Sequence, residues 1–246
     1  MRRALNRRLA LFGCLGIASV AVAGCGATSS PASPPITAQA NGSPTATHTA
    51  TDPTTSPNRA STMTASTTAS NRLGPEGIPL ETGRQLAPAS TTTPGTTVDG
   101  IQCAPLEQLA YHIHAHLQVY VHGVPRTLPA AIGLVGPVAQ QTPEGPFYGA
   151  QKCYYWLHTH TSDGVIHIES PTPRIYTLGN FFDEWRQPLS SHRVASARGT
   201  VYATVNGKPW TRSPRAIPLK KHAVIQLAVG MPIPPFHTVN WGPSQL

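Results

Sequence analysis

Tyr111-His112-Ile113-His114-Ala115-His116-Leu117-Gln118-Val119-Tyr120-Val121-His122 alternates without a break. Ile113, Ala115, Leu117, Val119 and Val121 occupy the odd positions, and histidine, glutamine or tyrosine the even ones. A period of two describes a strand with one apolar and one polar face. The polar face carries His112, His114 and His116, since side chains two apart on a strand point the same way. His122-Gly123 and Pro125 predict a turn into a second strand, ended by Pro129.

Toward the C-terminus, residues 134–146 are rich in Gly, Pro and Gln and read as a long loop. Residues 154–161 and 165–170 read as two strands around Asp163-Gly164, a two-residue hairpin signal. A turn centred there sets His160 opposite His167 and His158 opposite Glu169. All four share one face, and Leu157, Ile166 and Ile168 take the other. Thr177 is placed to cap a helix from Leu178, with Leu178, Phe181, Phe182 and Trp185 as its apolar stripe. Val201–Val205 reads as a strand leading into an Asn206-Gly207 turn, and residues 222–229 as another strand. The Pro-rich tail from Pro232 is expected to be irregular. The expected fold is α+β, an antiparallel or mixed sheet with one packed helix, loosely β-grasp-like. Trp156, Trp185 and Trp210 read as core or shielding aromatics.

Toward the N-terminus the chain changes character. Arg2, Arg3, Arg7 and Arg8 precede an apolar, small-residue run that ends in Val22-Ala23-Gly24-Cys25. A basic flank, a short apolar core and small residues before a cysteine describe a lipoprotein leader, cleaved after residue 24. Cys25 is then the lipidation site, carrying acyl chains such as palmitate. Residues 25–100 read as a disordered tether, since 18 threonines among residues 26–100 leave little apolar surface to offset the entropy of ordering. A tether of that length spans ~50 Å r.m.s.. Within it, residues 73–80 are less bland, and either dock onto the folded part or belong to the linker. Residues 101–246 then form one His-rich domain. The formal charge of the chain is +8, half of it contributed by the leader's arginines, and no Lys/Arg cluster with interleaved aromatics suggests a nucleic-acid partner. Cys103 and Cys153 are expected to form a disulfide in an exported domain, with paired metal-binding thiols as the alternative.

Ten of the 11 histidines lie in residues 101–246. Six of them, with Glu169, form His112-x-His114-x-His116, His158-x-His160 and His167-x-Glu169. Imidazole and carboxylate together suit zinc, copper, iron and nickel. The core of the expected site is His158, His160, His167 and Glu169, joined by His114 or His116 if the first strand lies alongside. Seven candidates exceed one four-ligand shell, so either some orient the ligands or there are two sites. His122, His192, His222 and His237 read as structural.

The motifs at Tyr111–Leu117 and Trp156–His160, with Gly164–Pro171 and the Thr177-Leu178-Gly179-x-Phe181-Phe182 helix start, resemble an uncharacterised group of exported bacterial and archaeal proteins. The resemblance implies a shared His-rich exported domain. This chain departs from it at Thr161, where the group's pattern has aspartate, which leaves Glu169 as the expected acid.

Three function classes fit these observations. The first is a lipid-anchored protein on the extracytoplasmic face of the cell membrane. It would bind copper or zinc for capture, buffering or transfer, with an envelope protein or metal transporter as partner. The second is a metalloenzyme with a His/Glu site, marked by a substrate-sized pocket beside the metal. The third is an adhesion or assembly domain that uses the histidine face without metal. No phosphate-binding Gly loop, nucleophile elbow or free cysteine suggests other catalysis.

Overall fold

The computed structural model describes residues 72–89, 95–244 and 246. The leader, Cys25 and the tether up to residue 71 lie outside them. The elements that build the site are β1 (Tyr111–Val121), β2 (Val124–Thr127), β3 (Leu134–Thr142), β4 (Gly145–Tyr155), β5 (Leu157–His158), β6 (Val165–Ser170), α1 (Leu178–Glu184), β7 (Val201–Val205), β8 (Lys208–Trp210) and β9 (Ala223–Val229).

β1 is the centre of the main sheet. One edge pairs antiparallel with β6 along its first half and with β2 along its second. The other edge pairs parallel with β9, and β7 and β8 follow outward, each antiparallel to its neighbour. β5 adds a short strand outside β6. The alternation in β1 does what its period demands: Ala115, Leu117 and Val119 are fully buried in one core with Leu157, Ile166 and Ile168. The tight turns at His122-Gly123 and Asn206-Gly207 take positive φ at both residues, as twisted hairpins require.

α1 forms where its cap places it. The Thr177 hydroxyl accepts from the Asn180 N–H while Asn180 accepts from the Thr177 N–H, a reciprocal capping box. Leu178, Phe181, Phe182 and Trp185 are fully buried against the apolar sheet face. Among the described residues, a mixed sheet with one short α-helix is the expected class; the strand order does not establish a grasp-like arrangement. Cys103 and Cys153 are joined as a disulfide, so neither thiol is a metal ligand. A sequence separation of 50 residues stabilises by about 4 kcal/mol on the loop-entropy argument.

Three readings of the sequence need correction. Residues 134–146 are not a loop: β3 and β4 form a long hairpin, paired from Leu134↔Tyr154 to Thr142↔Gly145. Its outer half is largely exposed, so it lacks the buried alternation that marks a strand. The strand expected at 154–161 ends early, because the backbone of 159–160 bonds elsewhere. Thr159 N donates to Ile132 O (3.1 Å) and His160 O accepts from Tyr148 N (3.1 Å). Asp163-Gly164 is therefore not a two-residue turn; Asp163 Oδ1 instead accepts from Val165 N (3.0 Å). His158 faces His167, not Glu169. The slip is two residues, and an even slip keeps every side chain on its predicted face. Finally, residues 72–89 lie against the domain, with Ile78, Leu86 and Ala87 buried and Arg84–Gln85 paired to β2; for residues 73–80 this is the docking alternative, and for 81–89 it replaces the tether.

Glu184, the last residue of α1, is fully buried, and neither carboxylate oxygen has a hydrogen-bond partner. Burial, reinforced by Asp99 and Asp183, pushes its carboxyl well above the usual range. The folded protein holds this proton more tightly than the unfolded chain. Stability is therefore lost as pH rises above the ordinary carboxyl value, by up to ~1.4 kcal/mol per pH unit, until the raised value is reached. Glu184→Gln should melt at a higher temperature than the parent at neutral pH and at the same temperature near pH 4. Parallel melting curves across that range would refute the assignment.

Candidate metal centre

Strand pairing brings the histidines together. On the polar face His114 pairs with His167, and His167 with His158, so three imidazoles lie side by side across β1, β6 and β5. The adjacent row sets His112 opposite Glu169. His160, just past β5, bends back until its Nε2 is 3.1 Å from that of His158. His112, His114, His158, His160, His167 and Glu169 thus converge. They form two overlapping groups, His112/His114/His167/Glu169 and His158/His160/His167/Glu169, each with its potential ligand atoms within 4.8 Å of one another. Either group could hold a metal ion. His116 stands apart, its Nε2 donating to the Asp163 carbonyl at 2.8 Å.

The face is covered. Phe147 of β4 stacks on His160 at 4.3 Å between ring centroids, and Tyr154 meets His158 edge-on at 5.7 Å. Phe147, just past the segment read as loop, and Tyr154, read as a strand start, therefore roof the site. His158 is wholly buried, and of the six only His112 is substantially exposed, at 38%.

Hydrogen bonds to carbonyls fix two tautomers. His158 Nδ1 lies 2.8 Å from Tyr155 O, and His160 Nδ1 2.6 Å from Tyr148 O. A carbonyl only accepts, so both rings carry their proton on Nδ1. Burial, together with His160 and His167, pushes His158 well below its usual value. Burial, then His167, lowers His160 to about 4. Both rings are neutral at pH 7, and each presents a bare Nε2 lone pair to the other. Burial lowers His114 to about 2 and His116 to about 4.

Glu76 and Glu107 join the site without any signal of their own in the sequence. Glu76 Oε1 accepts from His167 Nε2 at 2.6 Å, and its Oε2 accepts from the Thr161 hydroxyl at 3.1 Å. Thr161, where the resembled group has aspartate, thus orients a carboxylate instead of supplying one. Burial raises Glu76, but the charge and hydrogen bond of His167 outweigh it and hold the carboxyl at about 2. Burial likewise opposes the charge on His167, and Glu76 and Glu169 outweigh it, to about 10. Glu107 Oε1 lies 3.6 Å from His160 Nε2. Asp163 is buried behind this cluster, and burial followed by Glu76 pushes it well above the carboxylate range.

A cavity of about 440 Å³ lies further along the same strand face, lined by Glu81, His116, Gln118, Tyr120, His237 and the Pro-rich tail. None of the six convergent residues lines it. No helix among the described residues is long and apolar enough to cross a membrane. Comparison with protein-family models, curated proteins and solved structures found no match to this chain.

Proposed function

We propose that this chain is a lipid-anchored extracytoplasmic protein whose buried His/Glu centre binds a transition metal ion, copper or zinc, for capture, buffering or transfer. One observation carries the reading: His158 and His160 aim two neutral Nε2 lone pairs at each other across 3.1 Å, with both ring protons committed to carbonyls. Two lone pairs repel, and a cation between them relieves it. Metal-bound histidines generally donate their other ring N–H in this way. Imidazole nitrogens with a carboxylate suit zinc and copper(II). His167, held between Glu76 and Glu169, supplies positive charge where an ion would, and its Nδ1 becomes a ligand once that proton leaves.

Membrane attachment rests on the leader and Cys25. A long tether would let the centre reach an envelope protein or transporter, and nothing in the charge pattern favours nucleic acid. The roofed centre, with its six residues absent from the lining of the neighbouring cavity, favours binding and transfer over catalysis.

Calorimetric titration of the untagged full chain with Zn²⁺ and with Cu²⁺ tests the reading. The expected result is binding tighter than micromolar, weakened by at least about 100-fold in a His158→Ala/His160→Ala variant. Equal binding by the variant would sink the site and favour the adhesion reading.

A further inference from the structure

The two groups share Glu169, and the way they share it decides how many ions the centre takes. Around one lobe run His112 Nε2, His114 Nε2, His167 Nδ1 and Glu169 Oε1. Successive separations are 2.9 Å, 3.1 Å, 3.2 Å and, closing the ring from Glu169 to His112, 3.0 Å. Ligands of a tetrahedral ion with bonds near 2.0–2.1 Å stand ~3.3 Å apart. Four of the six separations in such a shell are therefore already close to that value, and all four atoms lie within 4.8 Å of one another. The other lobe holds His158 Nε2 and His160 Nε2, 3.1 Å apart, with Glu169 Oε2 3.9 Å from the first and Glu107 Oε1 3.6 Å from the second.

Each carboxylate oxygen of Glu169 thus faces a different His-x-His pair. Oε2 is buried and has no hydrogen-bond partner, so its lone pairs are directed at the second pair with nothing to receive them. His167 cannot serve both lobes: Nδ1 points to His114 and Glu169, while Nε2 is committed to Glu76. A single ion in either lobe leaves the other His pair with its Nε2 atoms in contact.

We propose that the centre is dinuclear, with Glu169 bridging an ion held by His112, His114 and His167 to a second held by His158, His160 and Glu107. This rests on the metal-binding reading above. Two dications a few ångströms apart need anionic charge nearby. Glu169 bridges, Glu107 lies at the second lobe and Glu76 backs His167 in the first. Carboxylate-bridged pairs ~3.5–4 Å apart are an established arrangement for divalent ions. Each lobe has one part-exposed ligand, His112 at 38% in the first and Glu107 at 34% in the second, while His158 is wholly buried.

Copper(II) alone is the probe, added stepwise to the full chain and followed by metal analysis and electron paramagnetic resonance. The expected result is two ions per chain and a half-field line, the mark of two coupled spins, that grows in with the second equivalent. In Glu169→Gln the half-field line should vanish. In His112→Ala/His114→Ala the chain should keep one ion, held by His158 and His160, with an uncoupled signal and unchanged circular dichroism. One ion per chain, or two without coupling in the parent, overturns the bridge and leaves the metal-binding reading standing. No tight binding of copper or zinc removes both.

Discussion

A chain that begins at Ile101 should melt well below one that begins at Arg72 and should bind metal more weakly, although composition assigns residues 72–100 to the tether. The arm buries Ile78, Leu86 and Ala87. Burying one Ile or Leu is worth ~1.5–3 kcal/mol, so the two large residues together contribute roughly 3–6 kcal/mol. That is a large part of the ~5–15 kcal/mol by which domains are normally stable. The deletion also orphans groups that stay behind. Trp185 Nε1 loses Pro88 O, Leu128 N loses Glu81 Oε2, and His167 Nε2 and the Thr161 hydroxyl lose Glu76. At about 2–4 °C per kcal/mol for a domain of this size, the fall in melting temperature should exceed ~6 °C from the apolar loss alone.

Binding should suffer separately from stability. Glu76 holds the His167 ring so that Nδ1 faces His114 and Glu169, and outer partners of this kind are worth about 10–100-fold in metal affinity. Glu76→Gln in the full chain keeps the shape of the side chain and removes its charge. It should lose affinity within that range with a smaller change in melting temperature than the deletion. Equal stability and equal affinity for the chains starting at Ile101 and Arg72 would show that the arm is a passenger.

The arm also shows where sequence reading reached its limit. The polar face was legible because β1 alternates strictly: the parity that buries Ala115 and Leu117 also sends His112 and His114 to the opposite face. Parity survived even where register did not. His158 met His167 instead of Glu169, and all of them stayed on one face because the slip was even. What fixed that register was non-local, the bonds from Thr159 to Ile132 and from His160 to Tyr148. No pattern within residues 154–170 encodes them. The β3–β4 hairpin was invisible for a different reason. Its outer half is largely exposed, yet Phe147, two pairs from the turn, lies over His160. Glu76 lies 91 residues from the histidine it orients, in the 73–80 patch whose docking the sequence left open. A carboxylate that acts through one distant partner leaves no periodicity to find.

Gly133→Ala is expected to damage fold and centre together. Gly133 has φ of 73°, and a Cβ there would lie 2.3 Å from Leu157 O, 3.0 Å from His158 Cβ and 3.2 Å from His158 Cα. The left-handed conformation alone costs ~1–2 kcal/mol for a residue with a side chain. The overlap with Leu157 O is with backbone, so no rotamer change relieves it. The strand must move, at a further cost of about 1–3 kcal/mol. The strand that moves is the one carrying His158, and its Nε2 has to stay 3.1 Å from that of His160. Gly136→Ala supplies the control. Its φ is 68°, nearly the same, but the nearest atom to a Cβ there is Lys152 Cγ at 3.5 Å, an ordinary contact. Both variants carry the conformational cost, and only Gly133→Ala carries the clash. Gly133→Ala should therefore melt below Gly136→Ala and lose metal affinity that Gly136→Ala retains. If the two variants melt together and bind alike, the close approach of residue 133 to β5 does not hold His158 in place, and the tautomer-locking bond from its Nδ1 to Tyr155 O must fix the ring unaided.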